Sequence, residues 1–136
     1  MHIGITGTRN GLTEEQFERL KIFFEYNQNI THLHAGDCLG VDVQVLQVCR
    51  ELRPDIKCIG HPPFNNKLRG FMRYDEQRKP KTYLERNRNI VDECHRLWAF
   101  PKGENEVLRS GTWATIRYAR VQNKFMVIVF PDGSCN

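Results

Sequence analysis

Arg109-Ser110-Gly111-Thr112-Trp113-Ala114-Thr115 is the stretch on which the reading of this chain turns. It follows the strand-like run Leu97-Trp98-Ala99-Phe100 and opens a helical pattern that continues to Arg120. The first N–H groups of a helix have no partner inside it and lie at the positive end of its dipole. A small, hydroxyl-rich turn at that point is therefore a natural anion site. Ser110 and Thr112 supply hydroxyls, and Gly111 lets an anion approach the backbone. The same residues also suit a plainer role, Ser110 as N-cap and Gly111 as a turn. The rest of the chain bears on the choice.

The chain has 136 residues, which suits one domain over 1–136 with one core. Hydrophobic content of 40% and charged content of 26% are those of a soluble globular protein. There is no long uncharged apolar run and no signal-like start, so neither a membrane nor secretion is expected. Five cysteines, an odd number with no CxxC spacing, predict neither a disulfide framework nor a zinc site, and a reducing, cytoplasmic setting fits. Cys49, Cys58 and Cys94 fall in apolar patterns and read as core thiols. The net charge is +4, and it is unevenly spread: between Lys67 and Arg88 there are eight Lys/Arg against three Asp/Glu. That segment implies either an anionic partner or a solvated basic loop.

Taken in order, Ile3-Gly4-Ile5 reads as a strand ending at the turn Gly7-Thr8-Arg9. Thr13 with Gln16 forms a capping box for a helix to Tyr26, its core side marked by Phe17, Leu20, Phe23 and Phe24. Ile30–His34 is a second strand, closed by Ala35-Gly36-Asp37-Cys38-Leu39-Gly40. A second helix from Val41 stops before Pro54, and Ile56–Ile59 is a third strand closed by His61-Pro62-Pro63. The region 64–80 shows no clean periodicity, though a short helix near Leu68–Tyr74 would fit; stretches of this kind commonly serve as lids or binding loops. Thr82 caps a third helix whose buried side is marked by Leu84, Val91 and Cys94, with Ile90 close by. Arg96–Phe100 is a fourth strand, the central stretch opens a fourth helix, and Phe125–Phe130 is a fifth strand.

Strands alternating with helices predict an α/β, Rossmann-like doubly wound parallel sheet of about five strands, ordered 3-2-1-4-5, with helices on both faces. A crevice is then expected at the strands' carboxyl ends, where the winding reverses between the first and fourth strands. The turns after the first, second and fourth strands should border it. In that crevice Gly7 permits a sharp turn, Thr8 lies beside it, and Arg9 can grip phosphate in two places. Gly36, Asp37 and Gly40 line the second turn. Asp42 reads either as a helix-start acid or as a ribose acceptor or general base. Arg86 and Asn87 project from the third helix, and Arg109 stands ready to close on the anion. His61 is a candidate ligand contact or acid. His32 and His34 alternate correctly for paired ligands, but no third ligand is evident, so no metal and no cofactor are assigned.

Ile5-Thr6-Gly7-Thr8-Arg9, Ala35–Asp42, Glu85–Val91 and Arg109–Thr115, in that order and spacing, resemble the SLOG superfamily. That Rossmann-like group includes the lysine-decarboxylase-like LOG proteins, the DprA/Smf domain and YspA-type domains; the nearest look is to small members with a His-Pro-Pro turn. The resemblance implies a crevice for a nucleotide or nucleotide-derived ligand, with phosphate on Ser110-Gly111-Thr112 and Gly7 and Gly36 nearby. It also allows a homodimer. LOG enzymes cleave the N-glycosidic bond of nucleoside 5′-monophosphates with a glycine-rich turn followed by a catalytic glutamate. Here Gly111-Thr112 remain, but Trp113, Ala114 and Thr115 occupy the stretch where the acid would stand. Oxocarbenium-like cleavage wants a nearby carboxylate, and only Asp37, Asp42 and Glu85 are available, with Asp42 or Glu85 the catalytic candidates. Three functions follow. The first is nucleotide-ligand binding in a sensor, carrier or sequestering role; the second is N-glycosidic hydrolysis; the third is single-stranded nucleic-acid binding through the basic segment.

Overall fold

In the computed structural model, which describes residues 1–136, the strand and helix patterns alternate along the chain as β1 (His2–Gly7), α1 (Glu14–Tyr26), β2 (His32–Ala35), α2 (Val41–Leu52), β3 (Lys57–Gly60), β4 (Glu76–Gln77), α3 (Tyr83–Glu93), β5 (Arg96–Phe100), α4 (Gly111–Val121) and β6 (Phe125–Ile128). All six strands are parallel, in the order β4-β3-β2-β1-β5-β6. The winding reverses beside β1, between the β2 and β5 sides. The five strands expected from sequence keep their expected order. The sixth, β4, comes from the aperiodic region and pairs only through Glu76 and Gln77 with Ile59 and Gly60. Two residues are too few to carry an alternation.

Period-two alternation divides the strand side chains between two helical layers. Ile3, Ile5, Leu33 and Cys58 join Leu20 and Phe24 of α1 and Val45, Leu46 and Cys49 of α2 in the main core. On the other face Leu97 packs with Ile90 and Val91, and Ala99 with Trp113, Ile116 and Ile128. Cys49, Cys58 and Cys94 are buried free thiols, as their apolar settings predict.

The expected caps form. Thr13 Oγ1 accepts the Gln16 N–H at 3.1 Å, and Gln16 Oε1 accepts the Thr13 N–H at 3.0 Å. The Gln16 amide also donates to the carbonyls of Pro101 and Val129, tying α1 to the ends of the sheet. Thr82 caps α3 and Ser110 caps α4. Two local expectations fail. Leu84 is 55% exposed, because α3 turns Arg86, Ile90 and Val91 inward instead. The stretch near Leu68–Tyr74 is no helix; a single 3₁₀ turn at Asn66–Leu68 leads into extended chain.

Gly7 decides how closely β1 approaches α2, since a Cβ there would fall inside the Val41 side chain. Gly7→Ala is expected to destabilise the protein by about 2 kcal/mol through overpacking, measured by denaturant unfolding. An unchanged midpoint would mean that the approach is not tight.

Candidate functional site

At the carboxyl ends of the strands, where the winding reverses, lies a cavity of about 420 Å³. That is within the range of small-molecule sites. Its wall gathers Gly7, Thr8 and Arg9 from the turn after β1, and Gly36 and Asp42 from the turn after β2 and the start of α2. Arg86 and Asn87 of α3 and Arg109-Ser110-Gly111-Thr112 at the start of α4 complete it. Segments more than a hundred residues apart thus share one surface.

The central stretch caps a helix and also borders the cavity. Ser110 Oγ accepts the Trp113 N–H at 3.3 Å as a true N-cap. The Gly111 and Thr112 N–H groups head the helix without partners inside it, and both residues line the cavity. Arg9 and Arg109 are exposed on the cavity rim, and neither forms a salt bridge. Their charge is therefore available to an anion.

Arg86 is buried and acts as a bracket. Its guanidinium donates to the carbonyls of Gly36 and His61, contacts Cys38 Sγ at 3.5 Å, and donates through Nε to Asn87 Oδ1 at 2.8 Å. Tyr83 lies across it at 5.5 Å. Gly36 has no side chain because a Cβ would overlap the guanidinium. Asp42 Oδ2 accepts the Cys38 N–H at 3.1 Å. Burial pushes the Asp42 carboxyl up to about 6, although Arg86 pulls the other way.

Four sequence-predicted site residues do not reach the cavity wall. Asp37 is 1% exposed and turns away, accepting Arg69 Nε at 2.9 Å, the Met72 N–H at 3.0 Å and the Tyr74 hydroxyl at 3.4 Å. It anchors the basic segment. Gly40 adopts φ 93°, and a Cβ there would overlap the Arg9 backbone, so it serves the contact between two turns. His61 is buried behind Arg86, bonded to His34 at 2.9 Å. Glu85 is exposed and takes the Thr82 hydroxyl at 3.3 Å. Of the two candidate catalytic carboxylates, only Asp42 lines the cavity. Conversely, Tyr83, Val107, Lys102 and Asn10 line it without belonging to any motif singled out in the sequence, and Trp113, which belongs to the central stretch, lines it without having been given a role; a flat aromatic such as Tyr83 gives a base a face to stack on.

For an anion bound in this cavity, the position of Asp42 would make affinity depend on pH. Above pH 6 its carboxylate is charged and repels an anion; below, it is neutral. A pyrophosphate diester does not itself titrate in that window, so its affinity should rise about five-fold from pH 7.5 to 5.5, about 1 kcal/mol of repulsion removed. Asp42→Asn should flatten the profile at the higher affinity. A wild-type profile that is already flat would show that Asp42 does not face the ligand.

Among solved structures, the chain is similar to the protein TM1055, with 15% identity and a TM-score of 0.65 over 92% of this chain and 71% of that one. It is also similar to DNA processing protein A from Helicobacter pylori, a protein that binds single-stranded DNA, with 18% identity, a TM-score of 0.61 and coverage of 94% and 64%. DprA from Streptococcus pneumoniae gives 14%, 0.63, 93% and 49%. The chain thus spans about two thirds and about half of these two DprA proteins. This chain shares with them a Rossmann-like α/β fold with a parallel sheet. No protein-family model and no curated protein matches the sequence.

Proposed function

We propose that this chain binds a nucleotide or nucleotide-derived phosphorylated ligand in the cavity at the sheet's carboxyl edge, in a sensor, carrier or sequestering role. The observation that carries the reading is convergence. A glycine turn, two unpaired arginines and the open N-terminus of α4 border one cavity of about 420 Å³. Partnerless N–H groups and guanidinium forks suit phosphate oxygens, and Tyr83 and Trp113 offer apolar area to a base.

Asp42 favours a second reading, hydrolysis of an N-glycosidic bond. A carboxyl that titrates at about 6 inside a nucleotide-sized cavity has the pKa that acid–base work at neutral pH needs. The fold likeness to DprA keeps single-stranded nucleic acid as a third. The basic segment is less available than its composition suggests, however. Arg69 is paired with Asp37, Arg78 with Glu76 and Glu93, and Arg86 is buried. No helix is long and apolar enough to cross a membrane.

The test is a panel of nucleoside monophosphates and ADP-ribose-like compounds, followed by melting temperature and by chromatography of free base. A melting shift without released base supports binding. Released base that disappears in Asp42→Asn supports hydrolysis. Retention of a labelled oligonucleotide at moderate salt, with no shift by any small ligand, supports the third.

A further inference from the structure

All five histidines of the chain gather along one side of the sheet. His2 Nδ1 lies 2.8 Å from His34 Nε2, His34 Nδ1 lies 2.9 Å from His61 Nε2, and the far nitrogen of His61 faces Glu93 Oε2 at 3.8 Å. His32 stacks on His2 at 3.9 Å, and His95 Nδ1 accepts the His2 N–H at 2.8 Å. Strand register produces the row. His2 pairs with His32 and His34 with Ile59, and the alternation places His61, two residues beyond Ile59, on the same face. Glu93 ends α3 directly over it.

We propose that His34, His61 and Glu93 form a binding site for a divalent transition-metal ion of the zinc type. One ligand atom from each lies within 4.8 Å of the other two. Two imidazoles and one carboxylate suit zinc, cobalt or nickel rather than the oxygen-seeking magnesium and calcium, and three protein ligands leave a coordination position open. The carboxylate is already oriented. Arg78 Nε and Nη2 both donate to Glu93 Oε1, at 3.2 and 2.7 Å, which leaves Oε2 turned toward His61. The other nitrogen of His34 is held by His2, the kind of outer support that fixes a ligating imidazole. Burial lowers His34 to about 3 and His61 to about 4, so both rings are neutral at physiological pH and each keeps one nitrogen lone pair. Arg78, Lys81 and Arg86 also face the pair and oppose a dication, so a moderate affinity is expected. Glu93 is the partly exposed member and gives an entry side. The ion would tie β2, the turn after β3 and α3 together, beneath the carbonyl of His61 that receives Arg86.

The full chain, stripped with a chelator, should take up a single equivalent of Co²⁺ with the visible bands of a four-coordinate ion, and Zn²⁺ should displace it. A hundredfold excess of Zn²⁺ over its Kd should raise the melting temperature by roughly 10 °C. Glu93→Gln, at a partly exposed position, should keep the circular dichroism spectrum and weaken uptake at least tenfold. His95→Ala should leave uptake unchanged. His61→Gln should abolish it, but should that variant fail to fold, Glu93→Gln alone decides. Absence of stoichiometric uptake overturns the proposal. So does uptake that survives Glu93→Gln but disappears in His95→Ala, which would place the ion on the outer histidines.

Discussion

Replacing Arg86 by alanine should lower stability by about 3 kcal/mol, a fall of roughly 10 °C in melting temperature for a chain of this size. The guanidinium is buried and satisfies the carbonyls of Gly36 and His61, from the turns after β2 and β3. Its loss leaves two buried acceptors without donors. It also removes the cation nearest Asp42, whose carboxyl is already raised by burial and would rise further. Arg86→Lys should recover less than half of the loss, because an ammonium cannot reproduce the planar fork that reaches both carbonyls. Gly36→Ala should mimic the defect from the other side, its methyl displacing the same guanidinium. Thermal denaturation of the three variants at one pH measures the ranking. An Arg86→Ala protein as stable as wild type would mean that the bracket holds nothing.

The second large effect concerns binding. Arg9 and Arg109 come from opposite ends of the chain, line one cavity and are unpaired in the free protein. Each charge-assisted contact to phosphate is worth about 1.5–3 kcal/mol. Arg9→Ala and Arg109→Ala should each weaken a phosphorylated nucleotide about 10- to 100-fold, and the pair together should abolish its melting shift. Because both side chains are exposed, the free proteins should melt close to wild type. A shift that persists unchanged in Arg109→Ala would remove the anion from the start of α4.

Much of this site was legible in the chain because its parts are turns. Gly7-Thr8-Arg9 and Arg109-Ser110-Gly111-Thr112 announce themselves by composition, and the alternation of strands and helices forces them to one edge of the sheet. What escaped was side-chain direction within those turns. Asp37, in the turn after β2, and Asp42, in the first turn of α2, stand five residues apart, yet Asp37, at φ 56°, faces the basic segment while Asp42 faces the cavity. No pattern distinguishes them, because the deciding partners, Arg69, Met72 and Tyr74, come from a region without periodicity. The histidines tell the same story. Their alternation correctly put His32 and His34 on one face, but the residues that complete the cluster are His61, across a strand boundary, and Glu93, at the far end of α3. The register of β2 against β3 brings His61 beside His34, and the end of α3 adds Glu93.

In the function proposed above, distant turns jointly hold an anionic nucleotide-like ligand at the reversal of the sheet. The most direct measurement is an amide chemical-shift titration of the labelled protein with a nucleoside pyrophosphate diester. Saturable shifts concentrated on Gly7, Thr8, Arg9, Gly36, Gly111 and Thr112 are expected. Shifts confined to the segment 67–81, or none at concentrations where the ligand is in large excess, would contradict it.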